Sequence, residues 1–177
     1  MDANGDPEIG DLEDYIVRFG EIEQRKSHFR PRDMALARFE RERYSIVGRP
    51  EEGSTQGKKT SENVPFSCVI LKVEPGKGFA SHAHETPEVF LFMSGTWELI
   101  VGDQKTVVGD WDVASVPALA WHSVKNLGST TAWVFAINAG QAGAPSYLAP
   151  DVLDELKQLG HHFTGAEYPP GARPVAD

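Results

Sequence analysis

Residues 76–95 read Gly-Lys-Gly-Phe-Ala-Ser-His-Ala-His-Glu-Thr-Pro-Glu-Val-Phe-Leu-Phe-Met-Ser-Gly. His82 and His84 stand two apart, so on a strand both imidazoles project from one face. Thr86-Pro87 interrupts the strand, because proline donates nothing to a ladder. Glu88 then opens an apolar run, Val89 to Met93, that stops at Ser94-Gly95. Two imidazoles and a carboxylate on neighbouring strands can converge on one point, which makes a metal half-site short of a ligand. His122, in a second strand-turn-strand pattern downstream, is the candidate for the missing donor.

These residues resemble the two motifs of the cupin superfamily. The first motif runs Gly, five residues, His-X-His, three or four residues, Glu, six residues, Gly; Gly76, His82, His84, Glu88 and Gly95 fill it. The second runs Gly, five residues, Pro-X-Gly, two residues, His, three residues, Asn; Pro117, His122 and Asn126 fall in place. Two positions depart from it: Trp111 stands at the leading glycine and Leu119 at the inner one. The resemblance spans about residues 64 to 140. It implies an all-β fold, a cupin-type double-stranded β-helix (jelly-roll) barrel. An N-terminal arm would precede the barrel and a short C-terminal helix follow it. It also implies a metal held by His82, His84, Glu88 and His122. It does not fix the reaction, since one fold hosts many chemistries.

Composition agrees with one soluble domain. The chain has 177 residues, 40% hydrophobic and 24% charged, long enough for a substantial core. A formal net charge of −9 argues against nucleic acid and anionic membrane surfaces as partners. No apolar run approaches the roughly 18 residues of a membrane span. The acidic start, Met-Asp-Ala-Asn-Gly-Asp-Pro-Glu, lacks the apolar centre of a signal peptide. The single Cys68 lies in an apolar strand-like run and reads as a buried structural thiol. A cytoplasmic address is the expectation.

Three regions follow from the pattern. Residues 1–63 form an arm with an extra strand and a flexible loop, residues 64–140 the barrel, and residues 141–177 a loop, helix and tail. Residues 11–30 fit neither helical nor strand period and read as a mixed helix or extended arm. Part of residues 33–47 alternates as a strand. The resemblance implies that this strand pairs with a second subunit, giving a homodimer; an edge strand on its own barrel is the competing reading. The breaker-rich stretch 49–65 is a long loop, either disordered or a lid over the barrel mouth.

Within the barrel, strands are expected at 66–73, 79–84, 89–93, 96–101, 105–108, 113–116, 120–125 and 132–139, short and closely spaced. The runs 89–93 and 96–101 read as a hairpin about Ser94-Gly95, and Gly102-Asp103 as a tight turn. Residues 141–150 read as loop. Asp151 to Leu159 reads as a helix capped by Asp151, with Gly160 just past its end.

Three His and one Glu suit Fe(II), Mn, Ni, Zn or Cu by donor type, with Fe(II) favoured here, and leave positions open for substrate. The competing reading is three buried histidines bonded to backbone. His161-His162 and His28 read as surface residues. Strand parity puts Phe90 and Phe92 on the face of Glu88, where they would either line a substrate pocket or simply fill the barrel. Trp121 should point outward. The last strand puts Trp133, Phe135 and Ile137 on one face and Val134 and Ala136 on the other, without saying which faces in. No general acid or base stands out, and no tyrosine lies between residues 45 and 146.

The expected activity is a metal-dependent dioxygenase acting on a small chelating organic substrate such as a catechol, enediol or diketone. A metal-dependent isomerase, epimerase or lyase is the alternative, followed by a non-enzymatic small-molecule-binding cupin.

Overall fold

The computed structural model describes residues 10–23, 35–47, 64–139 and 146–161. The expected lid or disordered loop, His28, His162 and the proline-rich tail lie outside these residues. A 3₁₀ turn at Leu12–Tyr15 and helix α1, Phe19–Glu23, come first, then a second 3₁₀ turn at Ala37–Phe39. The strands follow: β1 (Glu42–Val47), β2 (Phe66–Val73), β3 (His82–His84), β4 (Glu88–Ser94) and β5 (Trp97–Val101). They continue with β6 (Gln104–Val108), β7 (Val113–Val116), β8 (His122–Asn126), β9 (Ala132–Ala139) and β10 (Ser146–Leu148), and helix α2 (Pro150–Gln158) ends the described chain. No described helix is long and apolar enough to cross a membrane.

The strands form two five-stranded antiparallel sheets, ordered β1-β2-β9-β4-β7 and β10-β3-β8-β5-β6. This is the double-stranded β-helix that the motifs implied. Alternation on each strand sends one row of side chains into the space between the sheets. Val69, Leu71 and Val73 of β2, Phe90 and Phe92 of β4, Trp97 and Leu99 of β5, Val116, Val124 and the β9 row Ala132, Val134 and Ala136 fill it, with Phe79. Full burial of each large side chain stabilises the fold by about 1.5–3 kcal/mol, so this row is what holds the sheets face to face.

Several expectations need correction. Strands β4 and β5 are not a paired hairpin: β4 pairs with β7 and β9, and β5 with β6 and β8. The chain changes sheet at Ser94-Gly95. Gly95 sits at φ +100°, and a β-carbon there would lie 2.5 Å from that of Ala132. Trp97 turns inward directly after the corner and donates from Nε1 to the Ser94 carbonyl at 2.9 Å. The Gly102-Asp103 turn does join a true hairpin, with Val101 opposite Gln104 and Gly102 at φ +60°.

The ligand strand is shorter than expected, His82–His84, and is approached through an isolated bridge between Gly78 and Lys125. Residues 146–148 are a strand rather than loop, because they find the open edge of β3. Strand β1 pairs with β2 of its own barrel, as an edge strand of that sheet. Helix α2 begins at Pro150, one residue before the expected cap; Ala149 takes the cap position without a side-chain bond and Pro150 fills the first turn. Gly160 follows the helix at φ +80°, as its position suggested.

Helix α2 covers a second apolar cluster, in which Leu36, Ala80, Leu148, Ala149, Val152 and Leu156 meet Phe39 and Trp121. Arg38 Nη1 donates to Glu155 Oε1 at 2.7 Å and ties the N-terminal segment to that helix. Trp121 therefore points away from the barrel interior, as parity required. On the other sheet, Trp133 lies on the outer face, stacked on Tyr44 with Phe19 edge-on to both. Cys68 is buried, and burial pushes its thiol up to about 11, which suits an inert structural thiol.

Candidate metal centre

Both sheets contribute to one point at the end of the barrel. His82 and His84 leave the same face of β3, and β3 pairs with β8 at a single position, His82 opposite His122. Glu88, the first residue of β4, arrives from the facing sheet. The structure therefore brings together all four residues singled out in the sequence, and one donor atom from each lies within 4.8 Å of the others. Glu88 Oε2 lies 2.8 Å from His122 Nε2, 3.5 Å from His84 Nε2 and 3.8 Å from His82 Nε2.

The backbone sets which nitrogen each ring presents. His82 Nδ1 lies 2.8 Å from the Ala80 carbonyl, and His122 Nδ1 2.9 Å from the Ala120 carbonyl. A carbonyl only accepts, so each Nδ1 carries a hydrogen and donates it. Each Nε2 is then turned to the shared point as the ligand atom, the arrangement that orients metal-binding imidazoles.

This makes a direct test of fit. Glu88 Oε2 and His122 Nε2 face one another at 2.8 Å, and with Nδ1 already protonated both present lone pairs. Only a cation between them removes the repulsion. A proton satisfies one such contact; a divalent ion satisfies four donors at once. Nitrogen and carboxylate oxygen at roughly 2.0–2.2 Å from one ion are compatible with the 2.8, 3.5 and 3.8 Å from Glu88 Oε2 to the three Nε2 atoms. The donor set fits a transition metal.

Electrostatics agree. Glu88 is 5% exposed, and burial alone would raise its pKa. Contacts with the His122 and then the His84 imidazole, and the nearby His82 ring, outweigh burial and hold the carboxyl well below its ordinary range. His82 is held well below its ordinary value, first by burial and then by His122, with Glu88 pulling the other way. The centre thus keeps an ionised carboxylate beside a neutral imidazole.

One site residue was not singled out in the sequence. Asn138 stands directly opposite Glu88 in the β4–β9 ladder, and its Nδ2 donates to Glu88 Oε1 at 2.8 Å. It continues the inward row Ala132, Val134, Ala136 at the metal end of β9. That row was the available signal, had the direction of the strand's faces been known.

Phe90 and Phe92 share the Glu88 face, as parity required. The Phe90 ring is 5.8 Å from that of His122 and packs beside that ligand. Phe92 lies deeper, 5.8 Å from Trp97, and fills the barrel. Their exposures are 1% and 0%, so both belong to the packed core. Asn126, the last residue of the second motif, does not join the centre. Its Nδ2 donates to the carbonyls of Val73 and Thr130, and its Oδ1 accepts from the Gly128 amide, so it folds the β8–β9 turn. Tyr147 pairs with Ala83, whose side chain lies on the face opposite His82 and His84, and its hydroxyl donates to Glu85 at 2.5 Å. His161 is exposed.

Comparison with known proteins agrees with this architecture. The family model described as Cupin domain matches residues 69–138. A cupin 2 domain-containing protein of Halorhodospira halophila superposes with a TM-score of 0.52 at 22% identity, covering 67% of this chain and 77% of that one. A protein of Acidithiobacillus ferrooxidans, provisionally named a sugar phosphate isomerase, superposes with a TM-score of 0.53 at 19% identity, covering 73% and 77%. At these identities the likeness concerns the fold alone. No curated protein matches the chain in sequence.

Proposed function

We propose that this chain, whose residues 69–138 are a cupin domain, binds one divalent transition metal ion and uses it as a dioxygenase on a small chelating organic molecule. The observation that carries the metal is the 2.8 Å approach of Glu88 Oε2 to His122 Nε2 with His122 Nδ1 already bonded to Ala120. His82, His84, Glu88 and His122 would hold the ion, with Fe(II) favoured among the metals these donors accept. When bound, such an ion supplies Lewis acidity and, if redox-active, the electron transfer that couples O₂ to an organic substrate.

The protein's own groups define the rest. Ala80 and Ala120 fix two imidazoles through their carbonyls. Glu88 contributes one negative charge to the centre and remains ionised there. Phe90, Val116 and Val124 are buried around the ligands and keep water from the inner side of the site. Among the described residues behind the donors, Phe90, Val116 and Val124 are apolar and Asn138 is a neutral amide. Such walls suit an apolar or aromatic body carrying two adjacent oxygens, and support substrate oxidation over proton transfer between carbons of a sugar.

The test is elemental analysis of protein purified without a histidine tag, then O₂-electrode measurements after anaerobic Fe(II) loading. Near-stoichiometric metal with O₂ uptake on catechols or diketones supports the dioxygenase. Metal without O₂ consumption turns the assignment to an isomerase or lyase using the same ligands. Failure to hold any divalent metal refutes the metal centre and leaves a small-molecule-binding protein.

A further inference from the structure

Glu88 has two carboxylate oxygens, and the structure divides them. Oε2 faces the three imidazoles, 2.8 Å from the nearest. Oε1 accepts a hydrogen bond from Asn138 Nδ2 at 2.8 Å. The division is built into the ladder: Glu88 and Asn138 are directly opposed on neighbouring antiparallel strands, so their side chains leave the sheet together on the same face. Every other inward residue of β9 (Ala132, Val134 and Ala136) is apolar and buried. Asn138 is the polar exception, placed where the carboxylate needs a donor.

We infer that Asn138 is a positioning residue that makes Glu88 a one-oxygen ligand and so keeps a coordination position open. The inference rests on the metal centre proposed above. A carboxylate free to turn can offer both oxygens to one ion, as carboxylates do in other sites. A second oxygen would occupy a position that a chelating substrate needs. The Asn138 amide competes for that oxygen and holds it away.

The chemistry of the amide suits this task better than the alternatives. A lysine at the same place would pair with the carboxylate and compete with the metal for its charge. An apolar residue would leave Oε1 buried and unpaired. A neutral donor satisfies one oxygen and leaves the negative charge available to the ion. Groups that hold metal ligands in this way commonly change metal affinity by about 10- to 100-fold when removed.

The test titrates Co(II) into metal-free wild-type protein and the Asn138→Leu variant, reading both Kd and the visible d–d absorption. The Asn138→Leu variant is expected to bind about 10- to 100-fold more weakly, with a changed d–d spectrum that reports a changed set of oxygen ligands. If Asn138→Leu does not fold, Asn138→Ala is measured in its place, since it only removes atoms. A residue that merely stabilises the barrel would lower the unfolding midpoint and leave the Kd and the spectrum as in wild type. That result overturns the role of Asn138 while the metal centre stands. Wild-type protein that binds no Co(II) overturns the centre itself, and this inference with it.

Discussion

Glu88 and His122 belong to different sheets and are 34 residues apart, yet their side chains meet at 2.8 Å on the buried side of the candidate centre. The contact makes His122 different from His84, which stands 3.5 Å from the same oxygen. The His122 side chain is 1% exposed, so replacing it with alanine leaves a buried cavity beside the carboxylate, which costs on the order of 2 kcal/mol. The His84 side chain is 12% exposed, and His84→Ala should cost less. Both variants are expected to lose metal and keep a β-rich far-ultraviolet spectrum, with His122→Ala unfolding at lower denaturant. Elemental analysis and urea titration decide it; unchanged metal content in either variant counts against the site.

Acid should destabilise the metal-free protein, and the sign follows from the two shifted groups. His82 is held well below its ordinary value of 6.5, so the unfolded chain takes up a proton there that the folded chain refuses. Stability therefore falls as pH drops below about 6.5, by at most about 1.4 kcal/mol per pH unit for one proton. Glu88 is depressed from its ordinary value of 4.5. Its contribution is present above that value and is lost only as pH falls toward its folded pKa. Unfolding free energies measured across this range should decline first with the histidine, and the His82→Gln variant should show a shallower decline. An identical slope in both proteins would contradict the assignment.

The four donors were legible in the sequence because strand parity is a local property. Once His82 and His84 share a face, and Glu88 begins the next strand, their convergence needs only the fold that the motif spacing implied. Phe90 and Phe92 followed from the same period of two. What failed was non-local. Nothing in Ser94-Gly95 says which sheet receives β5, so a corner between sheets read as a hairpin. Ser146-Tyr147-Leu148 is too short to show a period and is a strand only because β3 offers it an edge. Asn138 shares its face with Val134 and Ala136, but parity alone leaves the direction of that face open, so its contact with Glu88 is not readable from the sequence.

Trp111 and Leu119, the two departures from the glycine positions of the second motif, keep a left-handed backbone, with φ +68° and +64°. Hydrogen bonds hold both turns in place: the Trp111 amide donates to Phe92 at 2.6 Å and the Leu119 amide to His84 at 2.8 Å. The side chains themselves are 70% and 46% exposed, so they return little burial for the strain. A left-handed residue with a β-carbon costs roughly 1–2 kcal/mol, and glycine loses about 0.5–1 kcal/mol more backbone entropy on folding. Trp111→Gly and Leu119→Gly should each be as stable as wild type or more so, by up to about 1 kcal/mol. A clear drop in the urea midpoint of either variant would show that its side chain has a partner worth more than the strain.

Glycine at position 78 faces the opposite constraint. A β-carbon there would lie 2.1 Å from the Val124 carbonyl oxygen and 2.9 Å from the Lys125 α-carbon, both backbone atoms that no rotamer change can move. The same contact line carries the Phe79 amide to the Val124 carbonyl at 2.8 Å and leads four residues later to His82 opposite His122. Gly78→Ala must spread this segment from β8, which should cost about 1–3 kcal/mol and loosen the register of two metal donors. Gly20, in α1, has nothing within 4 Å of an added β-carbon. Gly20→Ala should therefore gain up to about 1 kcal/mol from helix propensity and leave metal affinity untouched. Urea unfolding of the two variants separates these effects, and Co(II) titration of Gly78→Ala tests whether the spread reaches His82: wild-type stability in that variant would mean that the approach of residue 78 to β8 is looser than 2.1 Å implies.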